Sequence, residues 1–330
     1  MHNILIVKLS SLGDVVHTLP AVHDIVHALP QARLDWVVEE GFADLPAMTR
    51  GVQRVIPVAL RRWRRQGLFA ASTREEFNAF RAALQAQAYD LVIDFQGLIK
   101  SALIARLARL APGGARAGLA NRTDGASYEA PARWLYQRAI RIEPRTHAIE
   151  RSRLLAAQLL GYALPQRLRY GLQAPPVEPA LAATLAPRFA VLVHGSSRAD
   201  KCWLQTHWVQ LGQQLSQQGL QPVLPWGSPD ELLAAKEIAA RIGPQALVLP
   251  RLPLREITAV LHAAAAVIGV DSGLTHIATA LDRPTVQLYN FPTSWRTGGY
   301  GSPRVENVGG DTMPSAGEVS AALQRVLAAA

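Results

Sequence analysis

The chain has 330 residues, 49% hydrophobic and 18% charged, with a net charge of +9. That composition allows a sizeable core and argues against a disordered chain, and the length suits two domains of ordinary size. A single cysteine, Cys202, excludes an internal disulfide framework and points to a reducing compartment.

The charge is uneven. Residues 1–165 carry 21 Lys and Arg against 14 Asp and Glu, whereas residues 166–330 carry 13 against 11. The excess, mostly Arg, predicts an anionic partner for the first half: nucleic acid, an anionic membrane surface, or a phosphorylated or carboxylated substrate. The opening run Met1-His-Asn-Ile-Leu-Ile-Val-Lys8 is too short for a signal peptide, and no stretch approaches the roughly 18 apolar residues of a membrane span.

Taken in order, Asn3–Lys8 reads as a central parallel strand, and Leu9–Asp14 as a loop hinged at Gly13. Apolar residues at 15, 16, 19, 22, 25, 26 and 29 predict a helix from Val15 to Leu29. Pro20 implies a kink there, or the first turn of a later helix. Strands follow at Leu34–Val38 and Arg54–Val58, then the dense basic cluster Arg61-Arg-Trp-Arg-Arg65. A helix over 74–88, a strand at Asp90–Asp94 and a second helix from about Ser101 to Leu110 come next. The stretch 112–118 reads as a loop or short strand, and 133–160 as largely helical. A Pro-rich stretch, 161–187, is the linker candidate.

The second half restarts the same grammar. Strands are expected at Phe189–His194, Gln221–Pro225, Ala246–Pro250, up to Ile268, and last at Thr285–Tyr289. Helices are expected at 208–219, 230–242 (capped by Ser228 and Pro229), 254–263, 275–281 and 315–330. Alternating strands and helices twice over predict an α/β protein of two Rossmann-like, doubly wound domains facing each other across a cleft. Neither half has a Gly-x-Gly-x-x-Gly fingerprint, which argues against a dinucleotide.

Chemistry-bearing residues cluster in loops after strands: Ser10 to Asp14 in the first half, and Gly195-Ser-Ser-Arg-Ala-Asp-Lys201, Trp226 to Glu231 and Gly269-Val-Asp-Ser-Gly273 in the second. In doubly wound sheets, ligands bind at those strand ends. Hydroxyls, glycines, a lysine and a carboxylate together suit a nucleoside diphosphate. Asp271 or Ser272 read alone is equally a helix cap, as is Asp14. His23 and His27 have metal-compatible spacing, but lie on a largely apolar helix face with no His-Glu-x-x-His pattern; no metal site is expected there. Trp63 reads as a packing or membrane-interface residue. Sparse aromatics, not interleaved with the basic residues, argue against a nucleic-acid partner.

Seven segments carry a resemblance: Lys8–Ala21, Trp36–Phe42, Arg61–Arg64, Asp94–Ser101, Pro225–Pro229, Asp271–His276 and Gly298–Gly301. Together they resemble the ADP-heptose:lipopolysaccharide heptosyltransferases of glycosyltransferase family nine, in order and over nearly the whole chain. The resemblance implies a GT-B fold, with residues 1–165 binding acceptor, 166–187 as linker, 188–312 binding donor and 313–330 as a C-terminal helix. It implies inverting transfer of L-glycero-D-manno-heptose from ADP-heptose to the first Kdo of Kdo2-lipid A, with no cofactor and no metal needed for chemistry. It further implies Asp14 as general base, and Ser196, Ser197, Lys201, Glu231, Asp271, Ser272, Gly273 and His276 on the donor. Ser196, Ser197 and Ser272 stand where relatives carry Thr, which keeps the hydroxyls. Ser10, Gly13, Arg61, Arg62, Arg64 and Lys100 are the acceptor-side candidates. A lipid acceptor implies a protein that visits the cytoplasmic face of the inner membrane through its basic half. The runner-up readings are a later-acting heptosyltransferase or a paralogue using another nucleotide sugar; a basic nucleic-acid-binding protein is the rival of another class.

Overall fold

Residues 2–67 and 70–329 are described by a computed structural model. One unit runs to Leu172 and a second begins at Gln173. In the first unit, strands β1 (Asn3–Val7), β2 (Arg33–Glu39), β3 (Val52–Val58), β4 (Ala88–Asp94), β5 (Arg109–Leu119) and β6 (Arg138–Ile140) form one sheet in the order β3-β2-β1-β4-β5-β6. In the second, β7 (Phe189–Val193), β8 (Gln221–Leu224), β9 (Leu247–Val248), β10 (Ala266–Val270), β11 (Thr285–Tyr289) and β12 (Val305–Gly309) follow the order β12-β11-β10-β7-β8-β9. Read from its other edge, the second order repeats the first: each unit is the Rossmann arrangement, with its switch point beside the first strand. Among the described residues all ten pairings between these strands are parallel.

Parallel strands buried on both faces need continuous apolar runs. β1 supplies Ile4, Leu5, Ile6 and Val7, and β10 supplies Ala266, Val267, Ile268 and Val270, all fully buried. Against the first sheet pack Trp63, Phe80, Leu84 and Ile104; against the second, Trp203, Trp208, Leu211, Ile238 and Leu323.

Several expectations are corrected. The helix expected over Val15–Leu29 is two, Leu12–Val16 and Leu19–Ala28, with Pro20 in the first turn of the second. Asp14 and Gly13 therefore lie inside a helix and not in a loop. The region 133–160 is not largely helical: Ala130–Leu135 is a 3-10 turn, β6 follows, and the helix begins at Ala148 and ends at Leu160, capped by left-handed Gly161. The loop or short strand at 112–118 belongs to the eleven-residue β5, whose register against β4 shifts between Tyr89 and Leu91. Gly114 sits at that irregularity, where a Cβ would lie 2.6 Å from the Tyr89 carbonyl oxygen. β12 follows the strand expected to be last. The edge strands β6 and β12 are short and largely unburied, so they lack the apolar signature of their neighbours.

The remaining boundaries moved by a few residues: helices run Ala71–Gln85, Ile99–Leu107, Gln205–Gln217 and Ala316–Ala328. Ala330, the expected end of the last helix, lies outside the described residues. The Pro-rich stretch is bound at both ends. Arg50 N donates to Gly171 O in the first unit, and Ala186 N to Gln221 Oε1 in the second.

Candidate active site

In the first unit the chemistry gathers where β1 and β4 end. Ser11 caps the short helix Leu12–Val16, and Asp14 Oδ2 accepts from both Ser11 N (3.0 Å) and Ser11 Oγ (2.7 Å). Asp14 Oδ1 lies 3.8 Å from Lys8 Nζ, and the Asp14 side chain keeps 38% of its exposure while Lys8 keeps 4%. One carboxylate oxygen thus serves the helix terminus, and the group as a whole remains open to a ligand. Burial alone would raise the Asp14 carboxyl, but the Lys8 ammonium, the Ser11 hydrogen bonds and the Arg151 charge outweigh it and hold the group well below the usual carboxylate range. Lys8 is pulled down by its burial despite Asp14.

The same edge is braced from β4. Gln96 Oε1 accepts from Leu9 N (3.1 Å) and Ser10 N (3.2 Å), and Lys8 Nζ donates to Phe95 O (3.3 Å). Asp94, fully buried, accepts from Tyr136 Oη (2.6 Å), Ser101 Oγ (2.7 Å) and Gln96 N (2.7 Å). Arg151 is buried and donates to Thr123 Oγ1 at 3.0 Å. The sequence pattern alone gives neither Lys8 nor Arg151 a role at the site. The readable signal for Lys8 was a charge closing an apolar strand; Arg151 lies too far along the chain to give one.

The basic cluster is a helix, Leu60–Gln66. Trp63 is buried and donates to Glu76 Oε2 (2.7 Å), so it packs and does not face a membrane. Arg62 is occupied by Glu40 (3.0 Å) and Glu76 (2.7 Å), and Arg61 stacks over Phe42 at 5.4 Å. Arg64, Arg65 and Lys100 are exposed.

In the second unit, Asp271 at the end of β10 is the hub. It accepts from Lys201 Nζ at 2.6 Å through Oδ2, and Oδ1 stands 3.0 Å from His276 Nε2. Burial would raise this carboxyl too, but the His276 hydrogen bond and charge, then Lys201, hold it well below its ordinary value. Ser272 caps the helix Gly273–Ala280, with its Oγ 3.2 Å from Thr275 Oγ1. Gly269 is required here: a Cβ would meet Thr275 Oγ1 at 2.2 Å.

Glu231 closes a capping box, with Oε2 accepting from Gly227 N (2.6 Å) and Ser228 N (3.2 Å). It also lies over the β7 loop, where a Cβ on Gly195 would fall 2.5 Å from Oε1. Ser196 is half-buried and Ser197 exposed on that loop. Asn290 Nδ2, past β11, donates to Asp200 O (3.0 Å) and Cys202 O (2.9 Å) and steadies the segment that carries Lys201. The structure thus joins Lys201, Asp271 and His276 in one cluster, and lays Glu231 against Gly195. Among the described residues no three His, Cys, Asp or Glu side chains come together as metal ligands.

The family model for glycosyltransferase family 9 (heptosyltransferase) matches residues 77–322. Lipopolysaccharide heptosyltransferase 1 of Escherichia coli K12 is 44% identical over 305 residues, covering 90% of this chain and 91% of the relative. The solved E. coli heptosyltransferase WaaC with ADP superposes with a TM-score of 0.84 at 39% identity, covering 99% of this chain and all of that one. The same enzyme with ADP-2-deoxy-2-fluoro heptose gives 0.74 at 43% identity, over 86% and 88% of the two chains. Two Rossmann-like units in this order are the GT-B fold of those structures. The chain is a glycosyltransferase and belongs to glycosyltransferase family 9, the heptosyltransferases.

Proposed function

We propose that the enzyme transfers L-glycero-D-manno-heptose from ADP-heptose to the first Kdo of Kdo2-lipid A, with inversion, at the cytoplasmic face of the inner membrane. The observation that carries this reading is the Asp14 carboxylate, held ionised yet open beside the end of β1. A relative that shares 43% identity was solved with a fluorinated ADP-heptose, which supports the donor.

In a single displacement, the acceptor oxygen bonds to the anomeric carbon as the bond to ADP breaks, and the hydroxyl proton passes to Asp14. A carboxylate held this low is a weak base. Proton transfer is therefore late, after bonding to carbon has made the hydroxyl acidic and the transition state has gained oxocarbenium character. The departing ADP gains negative charge. Lys201, oriented by Asp271, has three N–H donors, of which one goes to that carboxylate; the others suit phosphate oxygens. Ser196, Ser197, Ser272, Gly273 and His276 supply further donors on the same reading, and Glu231 contacts the nucleoside. Lys201 takes the role that a metal fills in other transferases, so the reaction proceeds without one.

On the acceptor side, Ser10, Gly13, Arg61, Arg64 and Lys100 are the groups proposed for the sugar's carboxylate and phosphates, while Arg62, tied to Glu40 and Glu76, holds their helix in place. Residues 1–165 form the acceptor domain and 188–312 the donor domain on this reading. The test is product analysis. Mass spectrometry and NMR should show one heptose on the inner Kdo, with the anomeric configuration opposite to the donor's. Transfer only to an acceptor that already carries a heptose would move the enzyme one step later.

A further inference from the structure

We infer that Ile99, Leu103 and Trp134 form a docking surface on the first unit for an anionic phospholipid bilayer. This deepens the membrane-face reading above and rests on it for its purpose. Ile99 and Leu103 are 39% and 52% exposed, one turn apart on the helix Ile99–Leu107. Trp134, at 79%, is the most exposed large hydrophobic side chain among the described residues.

The two elements are fastened together. The 3-10 turn Ala130–Leu135 packs on the helix. Glu129, just before the turn, donates its N–H to Gly97 O (3.0 Å) and accepts from Ile99 N (2.6 Å) through Oε2. Ala132 is fully buried beneath. Trp134 is therefore presented by an anchored turn, and its exposure is not that of a loose loop. Single exposed apolar residues are ordinary on any surface. Three on one fastened pair of elements, one of them a tryptophan, suit the bilayer interface, where an indole sits at headgroup level.

The charge of the same two elements names the occupant. Residues 99–145 carry nine Lys and Arg against three Asp and Glu. Lys100 and Arg106 on the helix and Arg133 on the turn are all exposed. Apolar side chains among cations complement an anionic lipid surface, which adds attraction for each nearby cation. A second copy of this chain docked face to face would bring the same positive charge against itself. The helix also begins just past Gln96, which holds the backbone of Leu9 and Ser10 next to Asp14. A bilayer on this surface lies at the sheet edge where the acceptor sugar must be held.

The experiment is flotation with vesicles of phosphatidylcholine alone, or mixed three to one with phosphatidylglycerol, using wild type and the double variant Leu103→Ser, Trp134→Ser. Both positions are exposed, so the fold is kept. Wild type should float with the anionic vesicles, less so as salt rises, and the double variant should lose roughly tenfold or more in partitioning. Both should turn over a de-acylated acceptor equally. Vesicle binding that depends on Trp134 without any heptosyl transfer would sustain the surface while removing the proposed reaction. The inference is overturned if the variant floats like wild type, if wild type ignores anionic vesicles, or if the substitutions abolish self-association of a protein that does not bind vesicles.

Discussion

Lys8 Nζ stands 3.8 Å from Asp14 Oδ1, while both hydrogen bonds from Ser11 go to the other carboxylate oxygen. The ammonium therefore acts on the charge of Asp14 and leaves that oxygen available. Burial pushes the carboxyl up, and Lys8 is the largest influence pulling it down. In Lys8→Met the carboxyl should rise toward or above its ordinary value. Protonation then begins at higher pH, so the acid limb of kcat/KM moves upward. A pH–rate profile checks this, and an unmoved acid limb would remove Lys8 from the account.

Asp271 links stability to pH. Its carboxyl is depressed in the folded state, so it stabilises the fold above the unfolded value of about pH 4 and ceases to do so as pH falls through the folded value. At pH 7, Asp271→Asn should cost up to about 3 kcal/mol; Lys201 retains 21% exposure, which trims the cost of breaking a buried pair. The deficit should shrink as both proteins are taken well below pH 4. Denaturant midpoints across that range test it, and a deficit independent of pH would contradict the linkage.

Gly195→Ala places a Cβ where Glu231 Oε1 lies 2.5 Å away. Either Glu231 or the β7 loop must shift. Donor KM should rise by roughly tenfold, the equivalent of one lost good hydrogen bond, with kcat changed far less. Steady-state kinetics with ADP-heptose varied give the split; a fall in kcat at constant KM would count against a binding role for this contact.

Arg62 and Arg64 should part company. Arg62 is tied to Glu40 and Glu76, whereas Arg64 is exposed. Arg64→Ala should raise acceptor KM by about tenfold, as expected for a lost charge-assisted contact. Arg62→Ala should chiefly loosen the helix Leu60–Gln66, seen as faster amide exchange there. Acceptor KM values that respond equally would mean that Arg62 leaves its glutamates when the acceptor binds.

The central strands were legible because parallel burial demands apolar runs, and β1, β4, β7 and β10 have them. β6 and β12 carry no strand signature, because each has one neighbour and little burial and its pattern resembles a loop. Asp271, Ser272 and Gly273 were legible as a strand-to-helix turn. The Lys201–Asp271 and Asp271–His276 contacts were not: the first joins residues 70 apart, which only the fold brings together. The same holds for Arg151, whose charge acts on Asp14 from a distant helix. Trp134 was hidden inside a stretch read as helical. Its exposure follows from the anchored 3-10 turn and leaves no mark in the local periodicity.

The most direct measurement is single-turnover transfer from ADP-heptose to de-acylated Kdo2-lipid A by wild type and Asp14→Asn, in EDTA, beside calorimetric ADP binding. Asn keeps the shape and can still accept from Ser11, but takes no proton. The account predicts turnover by wild type, a loss of about 10²–10⁴-fold in the variant, and ADP affinity unchanged within about twofold. A variant that transfers within a few-fold of wild type would contradict the assignment of Asp14 as the base.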